Sequence, residues 1–314
     1  MYFSGIDWLR GIAAFFIVGC HIGLLERTAA GTAVTHFCDL NVGIFAAISG
    51  FLFAQSCIGR VDIDTKGILS KRVKRLLPLY VVWSVAYLIV RLGCGGGLAK
   101  ESEAGIRFFV WLIFGGGAAC TLWFLINLLY ATVFICAVLL VFPSLLNKWW
   151  FTLLLSCGML YWSIVDTGYL GYYSARLFAF VFLGWSLALC KSALPKNAWF
   201  WLGVSMCCLV AHFVFSNTIH RFMRDFICAI PILMFFVAPI FKKTTKTGRL
   251  LSSASLGVYL WHPLFAVIVQ RIVTKMLNVP YSAYIVLMAW IVVYSLALAA
   301  TLVANKTFLR RFQT

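Results

Sequence analysis

The chain has 314 residues, is 63% hydrophobic and only 11% charged, and carries a formal net charge of +17. A soluble domain of this size holds about 25% charged residues, so an ordinary soluble enzyme is excluded. Apolar runs spread from end to end instead indicate an all-α, polytopic transmembrane helical bundle. The positive charge would suggest nucleic acid in a soluble protein, but here it falls in short segments between apolar runs and reads as topology, with the lipid bilayer as partner and no nucleic acid.

At about 20 apolar residues per crossing, the sequence predicts roughly ten spans: 6–25, 40–57, 73–92, 121–142, 149–165, 172–190, 197–215, 225–241, 253–274 and 282–304. Phe108–Phe114 is apolar but too short to cross, and is expected as a re-entrant or interfacial piece. Arg60, the run Lys71–Arg75, Lys191, Lys196, Lys242–Arg249 and Lys306–Arg311 fall on one side of this arrangement. The other side holds fewer cations, Arg27, Lys100, Arg107, Arg221, Arg224 and Lys275, and most of the acids, Glu26, Asp39, Glu101, Glu103, Asp166 and Asp225. The positive-inside rule then places both termini in the cytoplasm. Residues 1–314 are expected to be a single transmembrane domain with no separate soluble domain. The first segment lacks the basic start and small-residue cleavage site of a signal peptide, and reads as a retained helix. The eleven cysteines include no C-x-x-C and mostly lie inside apolar runs, where they act as small hydrophobes rather than as a disulfide framework.

In chain order, the first unusual stretch is DWLRGIAAFFIVGCHI, from Asp7 to Ile22. Arg10 and His21 lie almost three helical turns apart, on about one face and separated by about 16 Å along the axis. Asp7 is one turn before Arg10 and within pairing distance of it. Taken singly, Arg10 reads as an interfacial anchor and His21 as a packing histidine. Ionisable groups inside spans are costly and face the protein interior, so two on one face make a functional stripe. NVGIFAAISGFLF, from Asn41 to Phe53, supplies the small residues Gly43, Ser49 and Gly50, which permit close helix packing. KRVKRLLPLY, from Lys71 to Tyr80, opens the third span. Its cations read either as topology with anionic lipid or as an anion cradle in which Lys71, Arg72 and Arg75 grip phosphates. In TLWFLINLLY, Trp123 is expected at a membrane interface, and Asn127, one turn deeper, offers an interior hydrogen bond. SLGVYLWHPLF carries a second intramembrane histidine, His262, with Tyr259 on the same face and Pro263 loosening the helix beside it. The glycine triplets 95–97 and 115–117 lack the Gly-Lys-Ser/Thr of a phosphate-binding loop.

Together these stretches resemble the acyltransferase-3 family of membrane-bound acyltransferases, which includes bacterial O-acetyltransferases of lipopolysaccharide, capsule and exopolysaccharide. The resemblance covers nearly the whole chain. Its most specific part is the Arg10–His21 spacing, followed in order by VGIFAAISGF, KRVKR with PLY, LWFL and SLGVYLWHP. Trp8 stands where the family usually has glycine, Lys71 replaces a common arginine, and Ala46 and Ala47 replace bulkier residues. Some longer relatives add a soluble catalytic domain. Ending at Thr314, this chain is expected to complete the transfer within the membrane or with a partner.

The resemblance implies an acyl-CoA-dependent O-acyltransferase of the bacterial inner membrane. It would move an acetyl or similar small acyl group from acetyl-CoA to a hydroxyl of a cell-surface or lipid-linked glycan, with no metal. His21 is then the candidate general base or, alternatively, an acylated nucleophile. Arg10 steadies the donor, and Lys71, Arg72 and Arg75 hold its phosphates. Asp7, Ser49, Asn127, Tyr259 and His262 are supporting residues. The competing reading is a transporter or flippase of an anionic or lipid-linked substrate; no internal repeat supports it.

Overall fold

The computed structural model describes residues 3–22, 29–60, 63–93, 122–166, 168, 170–216, 218–241, 243, 245–273 and 283–307. These form ten α-helices and no strand: α1 Ser4–Cys20, α2 Ala29–Cys57, α3 Thr65–Gly93, α4 Trp123–Val141, α5 Trp149–Val165, α6 Arg176–Cys190, α7 Ala198–Val214, α8 Arg221–Val237, α9 Lys246–Arg271 and α10 Ala283–Ala304. A π-helical segment, Leu170–Ala175, leads into α6. A helix lies over each predicted segment. Six stretches, in α2, α3, α4, α9, α10 and the run Tyr173–Cys190 through α6, are long and apolar enough to cross a membrane. The Phe108–Phe114 segment and both glycine triplets lie outside the described residues.

Several helices start well before their apolar window. α2 begins at Ala29 rather than residue 40, α3 at Thr65 rather than 73, and α9 at Lys246 rather than 253. Hydropathy marks only where a helix enters hydrocarbon, whereas backbone hydrogen bonding carries it on through polar turns. His36 and Asp39, expected in a loop, are therefore inside α2, and the whole KRVKR run lies inside α3. Arg221 and Arg224, also expected in a loop, fall in the first turn of α8. In the other direction, α1 stops at Cys20. The N–H groups of His21 and Ile22 reach back three residues, to the carbonyls of Val18 and Gly19, at 3.1 and 3.2 Å. Such a tightened last turn ends a helix, so His21 caps α1 instead of lying within it.

The chain divides into two compact units, Met1–Ser56 with Phe180–Thr314, and Cys57–Ala179. In the first unit α1 lies between α9, α10 and α8. Its pairing with α9 is parallel and keeps one register: Trp8 is opposite Gly248, Gly11 opposite Leu251, and His21 opposite His262. The Trp8 indole lies over Gly248, where a Cβ would stand 3.1 Å from Nε1. The bulk found at position 8 is thus accommodated by a glycine on the facing helix. α10 runs antiparallel to α1, with Trp290 stacked on Phe15 at 4.9 Å and its Nε1 donating to the Phe15 carbonyl at 2.8 Å.

The small residues of α2 meet α6 in the same unit. A Cβ on Gly50 would collide with the Val181 carbonyl, and one on Gly184 with the Ala47 carbonyl. The two backbones are therefore in direct contact. Lipid removes most of the hydrophobic drive between helices, and close van der Waals packing of this kind takes its place.

In the second unit α3 and α4 run antiparallel, with the Cys136 thiol against the Thr65 carbonyl at 3.8 Å. Val85 and Ile89 of α3 are exposed at 52% and 63%, as residues facing lipid should be. Trp123, the first residue of α4, is buried, its ring 4.8 Å from that of Tyr173. Tyr130, Phe134, Trp162 and Phe178 line an apolar groove of about 310 Å³.

Candidate active site

The parallel register of α1 and α9 brings two of the predicted residues together. The rings of His21 and His262 lie 5.0 Å apart, centroid to centroid, with their planes at 38°. His262 is fully buried and its ring is 5.9 Å from that of Tyr259. Pro263 withholds an N–H from the helix, yet α9 continues through it to Arg271, a tolerance common in membrane helices. On the preceding turn, Nδ1 of His262 is 3.2 Å from the Val258 carbonyl. A carbonyl only accepts, so Nδ1 carries the proton and Nε2 keeps its lone pair. Among the described residues Nε2 has no hydrogen-bond partner. The arrangement is an imidazole of fixed tautomer beside a second, partly exposed imidazole at a helix end. That pairing suits proton transfer.

The other predicted residues are placed as follows. Asp7 is buried and Arg10 half-buried on α1. The Ser49 hydroxyl donates to the Phe45 carbonyl at 3.0 Å, a bond local to its own helix. Asn127 is fully buried; its amide donates to the Trp123 carbonyl at 2.8 Å and its Oδ1 accepts from the Ser174 hydroxyl at 2.5 Å, joining α4 to the π-helical segment. Lys71 and Arg75 are exposed on α3, whereas Arg72 is half-buried. Arg10, His21, Tyr259 and His262 belong to the first unit, and Lys71, Arg72, Arg75 and Asn127 to the second.

The structure adds residues that the motif reading passed over. His212, at the end of α7, is 2% exposed, and its Nδ1 is 3.7 Å from Oδ1 of the fully buried Asp225. Neither ring nitrogen of His212 has a hydrogen-bond partner among the described residues. Arg224, 5% exposed, donates to the His212 carbonyl and, at 3.0 Å, to the Ile219 carbonyl, closing the α7–α8 connection. Arg221 pairs with Asp39 of α2. The signal was present: His212 is an ionisable residue inside an apolar run, the same criterion that picked out His21 and His262.

A family described as an acyltransferase domain matches residues 3–304, nearly the whole chain. The chain belongs to the acyltransferase-3 family. No curated protein and no solved structure matches it. A member of this family built from long apolar helices is a membrane acyltransferase, and each expected signature falls inside the matched span. The Arg10–His21 spacing is carried by α1 and its cap, the small-residue stretch by α2, the basic run by α3, and YLWHP by α9.

Proposed function

We propose that this acyltransferase moves an acetyl or similar small acyl group from a cytoplasmic acyl-CoA to a hydroxyl of a cell-surface or lipid-linked glycan, and that it works in the bacterial inner membrane with both termini in the cytoplasm. The observation that carries the reading is the His21–His262 pair at the end of α1. A neutral imidazole at His21 takes the proton of the acceptor hydroxyl as its oxygen attacks the thioester carbonyl. The C–S bond breaks, and the departing thiolate takes the proton back from the imidazolium. His262, its Nδ1 committed to the helix backbone, supports the base from α9. Arg10 lies on the same helix as the His21 cap and steadies the donor. Lys71, Arg72 and Arg75 grip CoA phosphates through charge-assisted hydrogen bonds.

The test is to incubate membranes containing the protein with isotope-labelled acetyl-CoA, then extract glycans and lipids for mass spectrometry. A labelled acetyl group on a sugar hydroxyl is the expected result. Movement of a lipid-linked substrate with no label transferred would establish the flippase instead.

A further inference from the structure

We propose that Nε2 of His262 accepts a hydrogen bond from the ring N–H of His21, and so decides which His21 nitrogen is left to act on the acceptor hydroxyl. This rests on His21 being the base. His262 is fully buried, and its surroundings are mostly hydrocarbon. Val258 and Ala266 lie one turn before and one turn after it on α9. They share a buried apolar cluster with Val18 and Ile22 beside His21 and with Val286 and Ala289 of α10. Nδ1 is 3.2 Å from the Val258 carbonyl and holds the proton. That leaves on Nε2 a lone pair with no hydrogen-bond partner among the described residues. A buried acceptor in apolar surroundings is costly until a donor meets it.

Two polar rings lie beside this lone pair's imidazole. Tyr259 is on the same helix, at 5.9 Å; His21 faces it from the end of α1, at 5.0 Å and tilted by 38°. His21 is the ring able to adjust. Its backbone closes the last turn of α1, and its side chain is only partly buried. Hydrogen bonds of catalytic groups are commonly long without substrate and tighten in its complex. A neutral imidazole carries one N–H and one lone pair, and the bond made by one nitrogen sets the state of the other. With its N–H turned to His262, His21 offers its lone pair to the acceptor. The acceptor proton moves to that nitrogen as the oxygen bonds the acyl carbon, and the departing thiolate removes it again. His262 keeps its own proton throughout. An imidazole thus does the orienting task that a carboxylate has in a Ser–His–Asp triad, without placing a second charge inside the membrane.

The experiment compares kcat and KM for donor and acceptor in membranes matched for protein amount, in His262→Asn, His262→Gln, His262→Phe, Tyr259→Phe and His21→Ala. An Asn amide reaches the place of Nδ1 and a Gln amide the place of Nε2, so the pair separates the two nitrogens. His262→Asn and His262→Phe should lower kcat about a hundredfold at little changed KM. His262→Gln, whose amide oxygen accepts in place of Nε2, should recover most of that loss. Tyr259→Phe should lose less than His262→Asn. Equal losses in His262→Gln and His262→Asn reduce His262 to packing and overturn the proposal. A loss in Tyr259→Phe as large as in His262→Asn gives Nε2 to the tyrosine and overturns it too. Nitrogen NMR of histidine-labelled protein needs no change at His262: its Nε2 resonance should move in His21→Ala, and an unmoved resonance sinks the contact. An inactive His21→Ala beside full activity in His262→Asn overturns the role of His262 alone, whereas full activity in His21→Ala overturns the general-base reading itself.

Discussion

His21 and His262 sit ring against ring, 5.0 Å apart, one capping the first helix and the other buried in the ninth. Neither position is special alone. Their contact follows from the parallel register of α1 and α9, already set at Trp8 and Gly248 near the helix starts.

Loss of His21 should remove the chemistry and little else. His21 caps α1 and is only partly buried, so His21→Ala should insert normally while kcat falls by about 10²–10⁴, the usual contribution of a general base. His262→Asn should lower kcat by about a hundredfold. Transfer assays on membranes matched for protein amount check both. Capture of a labelled acyl group on His21 in a single turnover without acceptor would establish the acyl-histidine route.

The basic turn of α3 makes a second prediction. If Lys71, Arg72 and Arg75 hold donor phosphates, each Ala substitution removes a charge-assisted contact of about 1.5–3 kcal/mol. The donor KM should then rise roughly tenfold or more per site, with kcat little changed. A fall in protein abundance at constant KM would return these residues to topology. Arg72, the half-buried member, should show the larger loss of abundance.

The positions of the ten helices were legible because each carries an apolar run, and six of these runs are long enough to cross a membrane. The Arg10–His21 spacing and the histidine of YLWHP were legible because charge inside such runs is rare. The beginnings of α2, α3 and α9 were not, since polar turns satisfy their backbones as well as apolar ones do. That lost Asp39 and Arg221, which composition assigned to loops. The partner of His262 was equally hidden: a sequence shows which face of α1 bears His21 but not which helix lies against that face.

The α7–α8 connection predicts a structural defect. Asp225 is fully buried beside His212, and Arg224 is bonded to backbone carbonyls. Removing one member of a buried charged group costs about 3–5 kcal/mol, so Asp225→Ala should sharply lower thermal stability in detergent. His212→Phe, which replaces the ring by an apolar one, should cost less. Thermal denaturation of the purified variants gives the comparison.

Crowding at the α2–α6 contact predicts another. Gly50→Ala and Gly184→Ala each place a methyl group on a backbone carbonyl, and overpacking of this kind costs about 1–3 kcal/mol. Gly203, with open space around it, is the control: Gly203→Ala should leave Tm unchanged or slightly higher.

The shared register of α1 and α9 also fixes how this protein tolerates changes in length. Deleting one residue between Gly11 and Gly19 would turn the end of α1 by about 100° and draw it back by about 1.5 Å. His21 would then leave His262, even though every side chain in the site survives. The same deletion beyond Ile22 leaves the α1 register untouched. Reading frame within the first helix, as much as residue identity, determines whether the two histidines meet.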